Sequence, residues 1–205
     1  MNGDGSVDRS KRLGLIAGAL TVAAVPAFAQ SDSYNFLKAV RERDAAAARE
    51  IVSDPSSAVI NARGDGGDGA LHILAQGRTE TDLAWIAFLL GNGARPDLQN
   101  RDGETPLMIA AQGGWTAAVE RLLARGANVN LPNGRGETPL IQAVHRRDIA
   151  MVRLLVAHGA DPDHRDSVAG YSALEYARRD TRAAAILRVL EARRAARPAT
   201  AGPTR

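Results

Sequence analysis

The sequence predicts an all-α fold in which a pair of short helices recurs along the chain and stacks into a solenoid. Gly-Ala pairs close apolar segments at Gly93, Gly126 and Gly159, with a spacing of 33 residues each time. The segments GETPLMIAAQGG and GETPLIQAVHRR begin at Gly103 and Gly136, again 33 residues apart. Self-similarity at a fixed period of this length indicates a repeat array.

Each unit carries signals for two helices. Thr105 and Thr138 suit the N-cap, and a proline follows each at the first helical position, where its missing N–H costs nothing. A turn follows, and a second helix then carries apolar residues at helical spacing. The glycine of each Gly-Ala pair can end that helix in the left-handed conformation. The Asn- and Gly-rich stretch 130–136 predicts a tight hairpin-like turn into the next unit.

Four leucines of the second helices are predicted to be core. A single repeat cannot bury its apolar face alone, so its stability comes from stacking on its neighbours. The leucine pairs hold nearly the same 33-residue step as the Gly-Ala pairs. The core leucines predicted in this way are Leu122, Leu123, Leu154 and Leu155.

The unit over 64–97 departs from this pattern. Ala70 stands where the third and fourth units have proline, and the step from Leu71 to Leu107 is 36 residues instead of 33. Three extra residues therefore lie within 77–82. We expect them to lengthen the turn between the two helices of this unit.

The segments DGALHILA, GETPLMIAAQGG and GETPLIQAVHRR resemble the TPLH helix start of the ankyrin repeat, and the Gly-Ala endings resemble its GADxN ending. The resemblance implies an ankyrin-repeat solenoid over residues 30–197, with atypical outer repeats acting as end caps. Residues 198–205 lack apolar periodicity and are predicted to be a disordered tail. The five predicted repeats lie near 33–64, 65–99, 100–132, 133–166 and 167–197.

Residues 1–29 have the pattern of a secretory signal peptide. A basic start precedes the apolar run 13–25, and Ala-Phe-Ala then ends at Ala29, after which we expect cleavage. The run has 13 residues, too few to span about 30 Å of hydrocarbon comfortably. The pattern looks bacterial and predicts a periplasmic or secreted protein, not integral to the membrane once the signal is removed. An uncleaved N-terminal anchor is the alternative.

The residues that usually carry chemistry are sparse. The chain has no Cys, which excludes disulfides, thiolate catalysis and Cys-held metals. The four His show no metal-binding spacing, and the resemblance places His72 in a hydrogen bond between adjacent repeats. The acidic stretch 161–166 lacks the Gly and terminal Glu of a calcium loop. We predict no enzyme activity, cofactor or metal. The alternative is an enzyme or a metal-binding protein, which metal analysis of the purified protein would reveal.

Charge is unevenly distributed along the chain. From Arg178 onward there are eight Arg and two acidic residues, a net charge of +6. Residues 30–99 carry seven basic and ten acidic residues, a net charge of −3. The basic C-terminal end suggests attachment to an anionic envelope surface, the alternative function, or contact with an acidic protein partner. The simpler interpretation is a solvated helix face.

The resemblance also implies the function and the residues that perform it. Ankyrin stacks bind proteins through their turn tips and first helices, which line a concave surface. The resemblance therefore implies a protein partner. The predicted export and the scarcity of aromatic residues argue against a nucleic acid, and we expect a monomer. The contact residues carried over by position are Gln99, Arg101, Asp102, Glu104, Gln112, Arg135, Glu137, His145, Arg146, Arg165 and Tyr171.

Overall fold

The computed structural model describes residues 32–53 and 59–196, and these are helical throughout apart from turns and one isolated bridge between Arg165 and Ser172. The predicted signal and tail lie outside the described residues, and the predicted repeat boundaries stay a prediction. No described helix is long and apolar enough to cross a membrane. The α-helices are α1 Asp32–Glu42, α2 Ala45–Ser53, α3 Ala70–Gly77, α4 Glu80–Gly91, α5 Pro106–Gln112, α6 Thr116–Leu123, α7 Pro139–His145, α8 Ile149–Ala157, α9 Ala173–Arg179 and α10 Ala184–Ala196.

The described helices form five consecutive pairs, and each pair packs on the next. The first helices (α1, α3, α5, α7 and α9) contact one another in order, and the second helices α4, α6, α8 and α10 do the same. The apolar side chains of both sets meet in one continuous core. The all-α fold predicted from the sequence is therefore confirmed.

The first helices of the third and fourth repeats start as predicted. The hydroxyls of Thr105 and Thr138 accept the amide N–H of Met108 at 3.2 Å and of Ile141 at 3.4 Å. The fifth repeat replaces Thr-Pro with Ser-Ala but still caps its helix. There Ser172 accepts the amide of Glu175, and the Glu175 carboxylate accepts the amide of Ser172 at 2.8 Å.

The expectation that three extra residues lengthen the turn of the second repeat is wrong. The turn between α3 and α4 is short, and residues 80–82 form the first turn of α4. As a result α4 has 12 residues, whereas α6 has 8. Thr79 caps the added turn, since its hydroxyl accepts the amide of Asp82 at 3.0 Å.

The leucine pairs divide between core and flank. Leu122 and Leu155 have no exposed surface, as predicted. Leu123 and Leu154 are only half-buried and pack against the edge of the core, so their assignment to the core was too strong. Adjacent residues of a helix point about 100° apart, so only one residue of each pair can face the neighbouring helices directly.

Candidate functional site

The turns that join successive repeats are closed by backbone hydrogen bonds. The amides of Asn100 and Asn133 donate to the carbonyls of Glu104 and Glu137, each at 2.9 Å. The Asn133 side-chain oxygen also accepts two amides within its own turn, and Asn100 does the same. Each turn contains a glycine with positive φ, such as Gly103 at 75°. We call residues 64–68, 100–104, 133–137 and 166–171 the turn tips.

The turn tips are hydrogen-bonded to one another through their backbones. The Gly134 amide donates to the Asp102 carbonyl at 2.8 Å, and the Ser167 amide donates to the Arg135 carbonyl at 2.9 Å. A Cβ on Gly134 would lie 2.9 Å from the same Asp102 oxygen, so this close approach requires glycine. The tips of the third to fifth repeats therefore form a connected framework whose side chains can vary.

The eleven residues predicted to contact a partner lie on these tips or beside them. We call this set the tip face. Six are exposed, namely Arg101, Asp102, Arg135, His145, Arg146 and Arg165. The other five are half-buried, namely Gln99, Glu104, Gln112, Glu137 and Tyr171.

Several half-buried residues of the tip face hold the repeats together. The Gln99 amide donates to the carbonyls of Gly103 at 2.8 Å and Pro132 at 2.9 Å, so it links the third tip to the fourth. Gln112 donates to the Glu104 carboxylate at 2.6 Å and to the Gln142 side chain at 3.2 Å. Sequence reasoning missed Gln142, which is buried among apolar neighbours of α7.

A second group on the tip face is aromatic. The rings of His145 and Tyr176 have centroids 4.3 Å apart, and those of Tyr171 and Tyr176 lie 5.5 Å apart. The Arg179 guanidinium stands 4.6 Å from the Tyr171 ring centre. Sequence reasoning missed Tyr176 and Arg179, although Arg179 ends α9 as the predicted residue His145 ends α7.

Hydrogen bonds fix the charge state of this aromatic group. The Tyr176 hydroxyl donates to the buried Asp166 carboxylate at 2.5 Å, which raises the pKa of Tyr176 to about 12. Burial alone would raise the pKa of Asp166, but bonds from Tyr176 and from the amides of residues 168–170 outweigh it and lower that pKa. Tyr176 is therefore a neutral ring anchored at one end.

One cavity lies among the predicted residues, and a second lies apart from them. One, of about 470 Å³, lies between the third and fourth tips and is lined by charged side chains that include Arg101 and Arg135. The other, of about 460 Å³, lies between α2 and α4, and its lining includes Trp85 and Phe88. This second hollow contains none of the predicted residues.

The histidines have structural roles. His72 accepts the Gly69 amide through Nδ1 at 3.1 Å, and its Nε2 lies 3.0 Å from the Glu104 carbonyl in the next repeat, as predicted. His164 is half-buried, with Nε2 3.2 Å from the Gly136 carbonyl. Among the described residues no group of three His, Asp or Glu side chains is arranged to hold a metal ion.

Comparison with known proteins bears on these repeats directly. No curated protein matches the chain. The family model "Ankyrin repeats (3 copies)" matches residues 71–166, which contain the third and fourth tips and most of the tip face. Residues 71–166 are therefore three ankyrin repeats, and the part of the chain that the structure describes has the all-α architecture of an ankyrin solenoid.

Proposed function

We propose that this protein is a non-enzymatic scaffold that binds a partner protein through the tip face. Ankyrin repeats are generally protein–protein interaction modules. The observation that carries the proposal is the connected backbone of the tips, where Asp102 and Arg135 accept hydrogen bonds from the next repeat while their side chains stay exposed. A rigid framework lowers the entropy lost when such side chains engage a partner.

The composition of the tip face suits protein recognition. Binding hot spots are enriched in Arg and Tyr, and the tip face presents Arg101, Arg135, Arg146 and Arg165 close to Tyr171. The Arg135 guanidinium is 66% exposed and is held by Glu137 at 3.0 Å, so a partner carboxylate could still reach it.

A matched pair of triple variants tests the proposal. Arg101→Ala, Arg135→Ala and Arg146→Ala together should weaken capture of the native partner at least about tenfold, because one central Arg can contribute about 2 kcal/mol of binding. The control removes the same charge from the second helices and the turn after α6, through Arg121→Ala, Arg125→Ala and Arg153→Ala, which are all exposed. The partner is identified by affinity capture and mass spectrometry, then titrated by interferometry. Equal loss in both variants would overturn the proposal.

We also propose that the protein works in the periplasm or outside the cell. The apolar run 13–25 followed by Ala-Phe-Ala supports this location. Intact mass of the protein recovered from the periplasm should match a chain that begins at Gln30. A protein that retains residues 13–25 would indicate the anchored alternative.

The alternative, attachment to an envelope surface through the basic C-terminal end, is supported less well. Three of the eight arginines form ion pairs, with Glu191, Asp180 and Asp163. Arg179 stacks on Tyr171 at the tip face, and Arg197 and Arg205 lie outside the described residues. Three of the eight guanidiniums are thus engaged with carboxylates of the protein itself, which leaves fewer of them free for attachment to an anionic surface.

A further inference from the structure

The fourth and fifth repeats form an aromatic platform on the tip face, made of His145, Tyr171 and Tyr176. Because the Tyr176 hydroxyl is bonded to Asp166, the platform presents ring surface more than hydrogen-bonding groups. A cavity of about 290 Å³ opens beside it, lined by His145 and Tyr176 together with the Arg179 side chain. This space has room for one apolar side chain of a partner.

Guanidinium groups without an intramolecular carboxylate flank the platform. Arg146 follows His145 directly at the end of α7, and Arg179 is the last residue of α9. Both are exposed, and neither forms an ion pair with a described carboxylate. Arg179 is already ordered by its contact with the Tyr171 ring at 4.6 Å. Ordering before binding reduces the entropy cost of a new contact.

The carboxylates around the platform are already engaged. Asp180 accepts from Arg147 at 2.5 Å, Glu175 from Arg165 at 2.6 Å, and Glu137 from Arg135 at 3.0 Å. The pKa of Asp180 is lowered by its bond from the Arg182 amide and by Arg147, and the pKa of Glu175 is lowered by the Ser172 amide and Arg165. The uncompensated charge at the platform is therefore that of the two flanking guanidiniums.

From this arrangement we infer that the platform binds an acidic segment of the partner protein, with one apolar or aromatic side chain between carboxylates. The carboxylates pair with Arg146 and Arg179 through charge-assisted hydrogen bonds, and the apolar side chain packs against Tyr176 and His145. The inference rests on the proposed function, since it names the chemistry of the partner at the same face.

A nucleic acid fits this surface less well than an acidic peptide does. A nucleic acid carries a negative charge at every nucleotide, and it would meet Glu137, Glu175 and Asp180, which border the platform. A peptide can place its carboxylates opposite Arg146 and Arg179 and keep neutral residues elsewhere. Carboxylates on a flexible peptide segment therefore fit these two separate guanidiniums better than a nucleic acid does.

Fluorescence anisotropy with defined probes tests the inference. The labelled peptide Asp-Glu-Trp-Glu-Asp is compared with its amide counterpart Asn-Gln-Trp-Gln-Asn and with a single-stranded oligodeoxynucleotide, all against the purified protein. The acidic peptide should bind at least about tenfold more tightly than the amide peptide, about 1.4 kcal/mol. The double variant Arg146→Gln and Arg179→Gln should remove this preference. The double variant Arg121→Gln and Arg153→Gln, on the second helices, should keep it.

The outcomes separate this inference from the proposed function. Equal binding of both peptides, a preference that survives in the Arg146 and Arg179 double variant, or tighter binding of the oligonucleotide would each overturn the inference. If the triple tip-face variant nevertheless loses the native partner, the proposed function stands without it. If that variant also keeps the partner, both fail. Thermal melts confirm that the double variants are folded, as expected for exposed positions.

Discussion

The second repeat and its two successors start their first helices in different ways. In the third and fourth repeats a threonine hydroxyl caps the helix, and Met108 and Ile141 fill the position three residues later with buried apolar side chains. The second repeat has Gly69 at the cap and His72 at that later position. The imidazole bonds to the Gly69 amide on one side and faces the Glu104 carbonyl on the other. The hydroxyl cap is local, whereas the histidine binds the second repeat to the third.

The same contrast holds at the turn between the two helices. The third repeat turns through Gly113 and Gly114. The second repeat instead follows its turn with a fully buried Asp82 in the first turn of α4, bonded to Thr79 and, at 2.6 Å, to Arg43 of the first repeat. Buried polar groups are costly unless all their partners are present. The second repeat should therefore be more sensitive than the third and fourth to substitution of its polar residues.

The largest expected effect tests the buried carboxylate. A Cβ on Gly77 would lie 2.0 Å from an oxygen of Asp82, which Thr79 and Arg43 hold in place. Gly77→Ala should therefore displace the carboxylate and cost about 3–5 kcal/mol, the range for a broken buried ion pair. Gly91→Ala is the control, since Gly91 also ends a helix but has open space around it. It should be neutral or stabilise by up to about 1 kcal/mol. Urea unfolding measures both, and equal costs would contradict the account.

Two arginines with left-handed backbones sharpen the comparison between repeats. Arg43 (φ 61°) and Arg147 (φ 56°) each bond through Nε to a carboxylate of the next repeat, but Asp82 is fully buried and the Asp180 side chain is 27% exposed. Glycine relieves about 1–2 kcal/mol of backbone strain at either site. Arg43→Gly should still destabilise by about 2–3 kcal/mol because it strands a buried charge. Arg147→Gly should be close to neutral. Urea unfolding measures both variants. If Arg147→Gly destabilises the protein more than Arg43→Gly does, burial of the carboxylate does not set the cost of losing its arginine.

The histidine of the second repeat should make stability depend on pH. Burial lowers the pKa of His72 below its ordinary value of 6.5, although the Glu104 carbonyl opposes the shift. The native state then resists protonation while the unfolded state accepts the proton. The free energy of unfolding should be unaffected above pH 6.5 and fall as the pH drops below it, by at most about 1.4 kcal/mol per pH unit.

Urea unfolding between neutral pH and the range where carboxylates titrate measures this dependence. His72→Asn should flatten the fall below pH 6.5, whereas His145→Asn, at an exposed position, should keep it. A fall of the same size in the His72 variant would assign the dependence to other groups.

The smallest expected effect concerns the tip face. Arg101→Ala, Arg135→Ala and Arg146→Ala together should change the free energy of unfolding by less than about 1 kcal/mol, because exposed side chains and exposed ion pairs contribute little. Thermal unfolding followed by circular dichroism measures the change. A loss of several kcal/mol would mean that these residues hold the stack together and that binding and folding are not separable.

The sequence by itself determined the parts of the fold that depend on local signals. The 33-residue period, the Thr-Pro helix starts and the glycines of the tips locate the helices of the third and fourth repeats, because caps and turns are set by residues a few positions apart. The bond from His72 to the next repeat also followed from its place in the ankyrin motif.

Only the tertiary structure decided what depends on the contact of one repeat with the next. The three extra residues of the second repeat are helical, and Arg43, 39 positions earlier, bonds to Asp82 in that added turn. The platform likewise joins His145 to Tyr176 and Arg179 from another repeat. Which side chains meet across neighbouring repeats is set by the offset and rotation of the stack, and the residues of one repeat do not encode that geometry locally.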